Sequence, residues 1–229
     1  MKNVVEVSAE HRALLRLVNS RLNQIYGFPV WRDPLPAVDE LVSTFLSQNT
    51  NDLNRDKAFD AIRACYTSWD EVCEADPDEF MQVIRAAGLA NQKGPNIQAA
   101  LRRIRAERGE IDLEWLRDLP VEEAREWLLS FRGVGRKTAA IVLLFSLGMP
   151  AFPVDTHIYR VSGRIGLRPQ TLDVDKTHQY LEAAADPADY YAMHLNLIRL
   201  GREVCHARKP ACARCPLVDI CLYPDKNLT

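Results

Sequence analysis

Apolar residues recur three and four positions apart along almost the whole chain, the spacing of one buried helix face. Leu14, Leu15, Val18, Leu22 and Ile25 form one stripe, and Leu41, Val42, Phe45 and Leu46 form another after Pro36. Ser68 with Glu71 makes a capping box before Val72, and Asp76, Pro77 and Glu79 supply an N-cap, a first-turn proline and a capping acid. Gly88 stands where a helix C-cap glycine belongs. Further helices are predicted over 92–106, 121–129, 137–147, 156–165, 175–184 and 188–204, and only 151–154 reads as extended. No segment alternates long enough for a sheet. The pattern predicts an all-α fold of about ten helices.

The chain has 229 residues, long enough for one large domain or two small ones. No run of apolar residues would span a bilayer, and Met1 to Val7 lack the layout of a leader, so a cytoplasmic protein without a membrane partner is expected. The net charge of −2 argues against a nucleic-acid partner, but its distribution does not. Residues 131–165 hold Arg132, Arg136, Lys137, Arg160 and Arg164 against Asp155 alone. Residues 196–215 hold Arg199, Arg202, Arg208, Lys209 and Arg214 against Glu203 alone. Positive charge is thus gathered in two segments of the C-terminal half, although either one by itself reads as a solvated helix face.

Chemistry is concentrated in three places. In Phe131-Arg132-Gly133-Val134-Gly135-Arg136-Lys137, two glycines make a tight turn between helices. Outward amides at the new helix start suit an anion such as a phosphate, but a lone Gly-x-Gly also serves as a plain turn. In Pro153-Val154-Asp155-Thr156-His157, Asp155 fits an N-cap, and His157 reads as a hydrogen-bonding rather than a catalytic histidine. The third is Cys205-x6-Cys212-x2-Cys215-x5-Cys221, a metal-binding spacing that zinc and an iron–sulfur cluster would both satisfy. Cys65 and Cys73 stand apart and read as buried small apolar residues rather than a disulfide.

Together these residues resemble the endonuclease III branch of the helix-hairpin-helix glycosylases. The resemblance rests on residues 133–139, on residues 154–161 and on the four-cysteine spacing, and it runs from about Leu41 to Cys221. It implies two lobes: a six-helix barrel over 30–149, and an iron–sulfur domain formed by 1–29 with 150–229. Duplex DNA carrying a damaged base or an abasic site would lie in the cleft between them, bound by a monomer of bacterial or archaeal, nucleoid-associated type. Lys137 and Asp155 would be catalytic. Cys205, Cys212, Cys215 and Cys221 would hold a [4Fe–4S] cluster. Gly133, Val134, Gly135, Arg136, Arg208 and Lys209 would contact the DNA backbone. Leu89 would fill the gap left by the extruded base. Gln48 or Asn49 would enter from the other side, register favouring Asn49 and side-chain chemistry Gln48.

The implied activity is a DNA glycosylase/AP lyase acting on oxidised pyrimidines. Lys137 would attack the sugar and the strand would break by β-elimination. Three departures bear on the base removed: Phe131-Arg132 where the family often has Leu-Pro, Ala90 where tyrosine is common, and an insertion over 111–118. The insertion and residues 129–133 are similar to plant glycosylases that remove methylated cytosine. A monofunctional glycosylase on uracil, thymine or methylcytosine and a cluster-bearing DNA-binding module without turnover stay open. Adenine–mismatch excision would call for a further C-terminal domain, and the chain ends eight residues past Cys221.

Overall fold

Helix α2 (Ala37–Ser47) buries Ala37, Val38, Leu41, Val42, Phe45 and Leu46, more than one face, because other helices surround it. It is the axis of one of two compact units into which the computed structural model divides, Asp33–Met149; the other joins Met1–Arg32 to Pro150–Thr229. The structure describes residues 6–31 and 33–228. Most of the N-terminal stretch read for a leader, residues 1–5, lies outside them. Among the described residues there is no strand, and no helix is long and apolar enough to cross a membrane.

In the unit built on α2, the chain runs through α3 (Asp52–Cys65), α4 (Trp69–Glu74), α5 (Pro77–Val83), a 3₁₀ turn Arg85–Ala87, α6 (Ala90–Arg108), a second 3₁₀ turn Glu114–Asp118, α7 (Val121–Leu129) and α8 (Arg136–Ile141). The caps read from sequence form: the Ser68 hydroxyl accepts from the Glu71 amide, and Asp76 from the amides of Asp78 and Glu79. The helix expected over 137–147 instead turns π-helical at Val142–Ser146, where the Leu147 amide donates to the Val142 carbonyl. Arg117 closes that end, donating to the carbonyls of Ser146 (2.7 Å) and Leu147 (2.5 Å). Cys73 is buried as expected, whereas Cys65, at the last position of α3, is exposed.

The 111–118 insertion and Phe131 are one structural feature. Trp115 meets Trp127 edge-on with centroids 5.0 Å apart, and Trp127 meets Phe131 at 4.6 Å. Arg103 stacks on Phe131 and Arg108 on Trp115. Leu113 and Leu116 are buried beside them. Phe131 is therefore a packed aromatic that anchors the turn that follows it. Phe131→Ala is expected to cost about 3–5 kcal/mol, the range for truncating a buried phenylalanine, read as a lower urea midpoint with an unchanged slope.

In the other unit, α11 (Tyr190–Glu203) packs on α9 (Thr156–Ile165) and α1 (Ala9–Tyr26), with α10 (Val174–Ala184) alongside α1. A Cβ at Gly201 would lie 2.9 Å from that of His157, so glycine is what lets α11 approach α9. The extended stretch 151–154 is buried without a strand partner, and side chains satisfy its backbone instead. His178 Nδ1 pairs with the Phe152 carbonyl and His194 Nδ1 with that of Pro153, both at 2.9 Å, while Glu182 accepts from the Phe152 amide at 2.8 Å.

Candidate functional site

The turn between α7 and α8 is fixed by Gly133. Its φ is +86°, and a Cβ there would meet Asn96 Nδ2 at 2.7 Å and a Phe45 ring carbon at 3.1 Å. Both the backbone conformation and the space require glycine. The Gly133 carbonyl accepts from Gln48 Nε2 at 2.9 Å, and Val134, buried, donates its amide to the Phe131 carbonyl. Gly135 caps α8 with extended backbone and no side-chain acceptor, so among the described residues no side chain caps the first-turn amides. Arg132 and Lys137 are exposed and Arg136 half-buried around this turn. No hydrogen bond or ion pair from them to another described residue occupies these three cations.

Among the non-glycine residues of the same unit that adopt left-handed backbone are Asn49 (φ +53°), just after α2, and Leu89 (φ +50°), at the N-cap of α6. Leucine in this region is unusual and costs about 1–2 kcal/mol. Leu89 is also 48% exposed and Asn49 is exposed. Gln48 is half-buried and braces the turn, while Asn49 is exposed.

Asp155 caps α9, its Oδ1 accepting from the Ile158 amide at 2.7 Å, and is half-buried. The cap uses one carboxylate oxygen and leaves the other for a ligand. His157 pairs through Nδ1 with Arg160 at 3.2 Å, as a hydrogen-bonding histidine should.

Cys205, Cys212, Cys215 and Cys221 line a single cavity with Arg164, Leu200, Val204 and Tyr223. Burial pushes the Cys215 and Cys221 thiols up, and the neighbouring cysteine sulfurs add to the shift. Among the described residues no three metal-ligating side chains converge closely enough to grip one ion. Four thiols around one cavity are a donor set that suits a multi-iron cluster, whose irons each take one cysteine. Arg164 donates to Cys205 Sγ (3.5 Å) and to the carbonyls of His206 (2.6 Å) and Ala207 (2.9 Å). The Val204 carbonyl accepts from both His206 and Ala211, pinching the intervening loop so that Arg208 and Lys209 are exposed at its tip, Lys209 with φ +49°.

Residues 42–187 match the HhH-GPD superfamily base excision DNA repair proteins. The chain belongs to that superfamily. Within HhH-GPD proteins it carries a further mark, a match of residues 205–221 to the iron–sulfur binding domain of endonuclease III, so its cofactor is an iron–sulfur cluster. A putative DNA glycosylase of Arabidopsis thaliana is 42% identical over 145 residues, which are 63% of this chain and 50% of that protein. The chain thus spans about half the length of that relative. A non-covalent endonuclease III–DNA complex superposes with a TM-score of 0.79, and a trapped endonuclease III–DNA covalent intermediate with 0.77. Both are 25% identical and cover 94% of this chain and 96% of theirs.

Sequence reading missed the HhH-GPD chain's supporting residues. Arg117, Glu182, His178, His194 and the buried Lys93 hold backbone carbonyls or amides near the motifs. Their one signal in the sequence was polarity at positions where the helical period called for an apolar residue.

Proposed function

We propose that this chain is a bifunctional DNA glycosylase/AP lyase of base excision repair. It removes oxidised pyrimidines from duplex DNA and cuts the strand at the abasic sugar, working as a monomer in the nucleoid. The observation that carries the reading is Lys137: a primary amine in the first turn of α8, exposed, without a partner among the described residues, beside a glycine turn shaped for a phosphate. A lysine kept for stability would be paired or would lie along apolar surface.

The chemistry follows from that amine. Unprotonated Lys137 Nζ bonds to C1′ as the glycosidic bond breaks, and the base leaves with the bond's electron pair and takes up a proton. Nζ gives up a proton, O4′ takes one up, and the C1′–O4′ bond opens to give an iminium between Nζ and C1′. Loss of a C2′ proton expels the 3′ phosphate, and water releases the lysine. The second oxygen of Asp155 stabilises the positive charge on the sugar and iminium. Arg132, Arg136 and the amides at residues 133–136 hold one stretch of backbone phosphates, and Arg208 and Lys209 another. Cys205, Cys212, Cys215 and Cys221 would hold the [4Fe–4S] cluster, which when bound would supply a rigid scaffold for residues 205–221.

Leu89 and Asn49 enter the stack on either side of the extruded nucleotide, offsetting lost stacking of a few kcal/mol. Leu89→Ala is expected to slow excision from an intact lesion duplex about 10–100-fold, or ~1.4–2.7 kcal/mol, and to change cleavage at a pre-formed abasic site far less. The overall reading is tested by a panel of duplexes carrying oxidised pyrimidines, uracil, mispaired thymine or methylcytosine, each incubated with and without borohydride. Strand nicking with a trapped protein–DNA adduct on the oxidised pyrimidines supports it. Base release without nicking or trapping identifies a monofunctional enzyme, and binding without any product a module that only binds.

A further inference from the structure

Lys93 is only 2% exposed, yet no carboxylate pairs with it. Its ammonium donates to the Leu46 carbonyl and to the Ala87 carbonyl, each at 2.7 Å. Leu46 lies in the last turn of α2 and Ala87 ends the Arg85–Ala87 turn, so both oxygens are helix-end acceptors with no amide of their own helix to satisfy them. Each is followed within three residues by a left-handed residue: Leu46 by Asn49, and Ala87 by Leu89. The backbone of Lys93 takes part as well, its amide donating to the Leu89 carbonyl at 3.0 Å. One residue thus grips the Gly88–Leu89 corner from both sides and ties it to the loop that carries Asn49. A cation also suits the negative end of α2, which favours it over a neutral side chain here.

We propose that Lys93 is a positioning residue that sets the separation of the Leu89 and Asn49 tips, and that base extrusion depends on it while sugar cleavage does not. This rests on the reading of Leu89 and Asn49 as the residues that enter the base stack. A buried lysine on a helix that buries Ile97, Leu101 and Ile104 would be replaced by an apolar side chain if stability were its only role, since burying a charge is costly. Its geometry fits a different demand. Neither tip has a packed side chain to hold it, because each must stay free for DNA, and a bond from below is the way left to fix its position.

The test uses Lys93→Met, which is similar in volume, unbranched and one atom shorter, and has no donor. Hydrogen exchange is read first, in the absence of DNA. Amides at residues 48–50 and 87–90 are expected to lose protection together while those at 97–104 in α6 keep it; loss at one loop alone, or none, overturns the coupling even if the chain proves to be no glycosylase. On DNA, single-turnover excision from the lesion duplex is expected to fall at least about 30-fold and cleavage at a pre-formed abasic site less than about threefold. Equal loss on both substrates overturns the positioning role in favour of a general structural one. Combining Lys93→Met with Leu89→Ala is expected to add little to either alone, because both act on one step; full additivity counts against the proposal. If wild-type protein cleaves neither substrate, the enzyme reading fails, and the exchange experiment still decides on Lys93. Should Lys93→Met not fold, Lys93→Leu, likewise without a donor, is read in the same way. If neither folds, Lys93 is a core determinant and the positioning role is lost.

Discussion

Lys137→Ala is expected to abolish the borohydride-trapped adduct and to lower strand cleavage by at least about 10³-fold, the scale on which removing a covalent nucleophile acts. The fold should be untouched. Lys137 is exposed and makes no bond to another described residue, and alanine is the better helix former at a first-turn position, so the urea midpoint should move by no more than about 0.5 kcal/mol equivalent. That separation makes the variant informative: a lost activity with an intact fold can only be chemical. Asp155 needs a more careful substitution, because its carboxylate also caps α9 through the Ile158 amide. Asp155→Asn keeps an oxygen for the cap and removes the charge, and is expected to slow cleavage about 10²-fold at unchanged stability. Asp155→Ala should show the same loss with roughly 1 kcal/mol of destabilisation added. A Lys137→Ala protein that still forms a reducible adduct would move the nucleophile to another amine, and the function proposed for this chain would need rebuilding around that amine.

How much of this was legible in the sequence depends on how locally each feature is determined. α7 and α9 were readable to the residue, because each has a proline or aspartate at its start and, for α9, a glycine in left-handed backbone at its end. The caps at Ser68 and Asp76 were readable for the same reason. α3 was not: over fourteen residues it buries only Ala58 and Ile62, too few apolar positions to set a period. The π turn at Val142–Ser146 is invisible to periodicity as well, since a run of buried residues looks alike in either geometry. Within the candidate site, Gly133, Lys137, Asp155 and the four cysteines announced themselves by motif. The residues that hold them did not, because a carbonyl 47 positions away, such as the one Lys93 reaches at Leu46, leaves no mark on local spacing. The bond from Gln48 to the Gly133 carbonyl, 85 positions along the chain, is likewise invisible to residue type or spacing.

The second large effect is expected at the cysteines. In residues 205–221 regular structure is limited to the Cys212–Arg214 turn, and Pro210 and Leu217 are the buried apolar side chains. Turns such as Ala213 to Asn227, Cys215 to Cys212 and Cys221 to Leu217 supply a few backbone bonds, and the Arg21–Asp219 ion pair is largely exposed and adds little. Such a segment cannot offset the entropy of ordering seventeen residues at about 1–2 kcal/mol each. Metal–thiolate bonds must supply the difference, which makes cluster binding a folding step for this part of the chain. Cys212→Ala or removal of iron is therefore expected to loosen residues 205–221 as a block, with fast amide exchange there, while α9 and α11 keep most of their protection through their own packing. The loop that exposes Arg208 and Lys209 is pinched at Val204 and tied by Arg164 to Cys205, so it should loosen with the segment. DNA affinity should then fall and its dependence on salt flatten by about two phosphate contacts, a change in slope of roughly 1.8. Arg208→Ala with Lys209→Ala should reproduce the flatter salt dependence while iron content stays full. A cluster-free protein that retained both ordered amides over 205–221 and the wild-type salt slope would mean that the thiols organise nothing, and the iron centre would have to be given a role other than scaffolding.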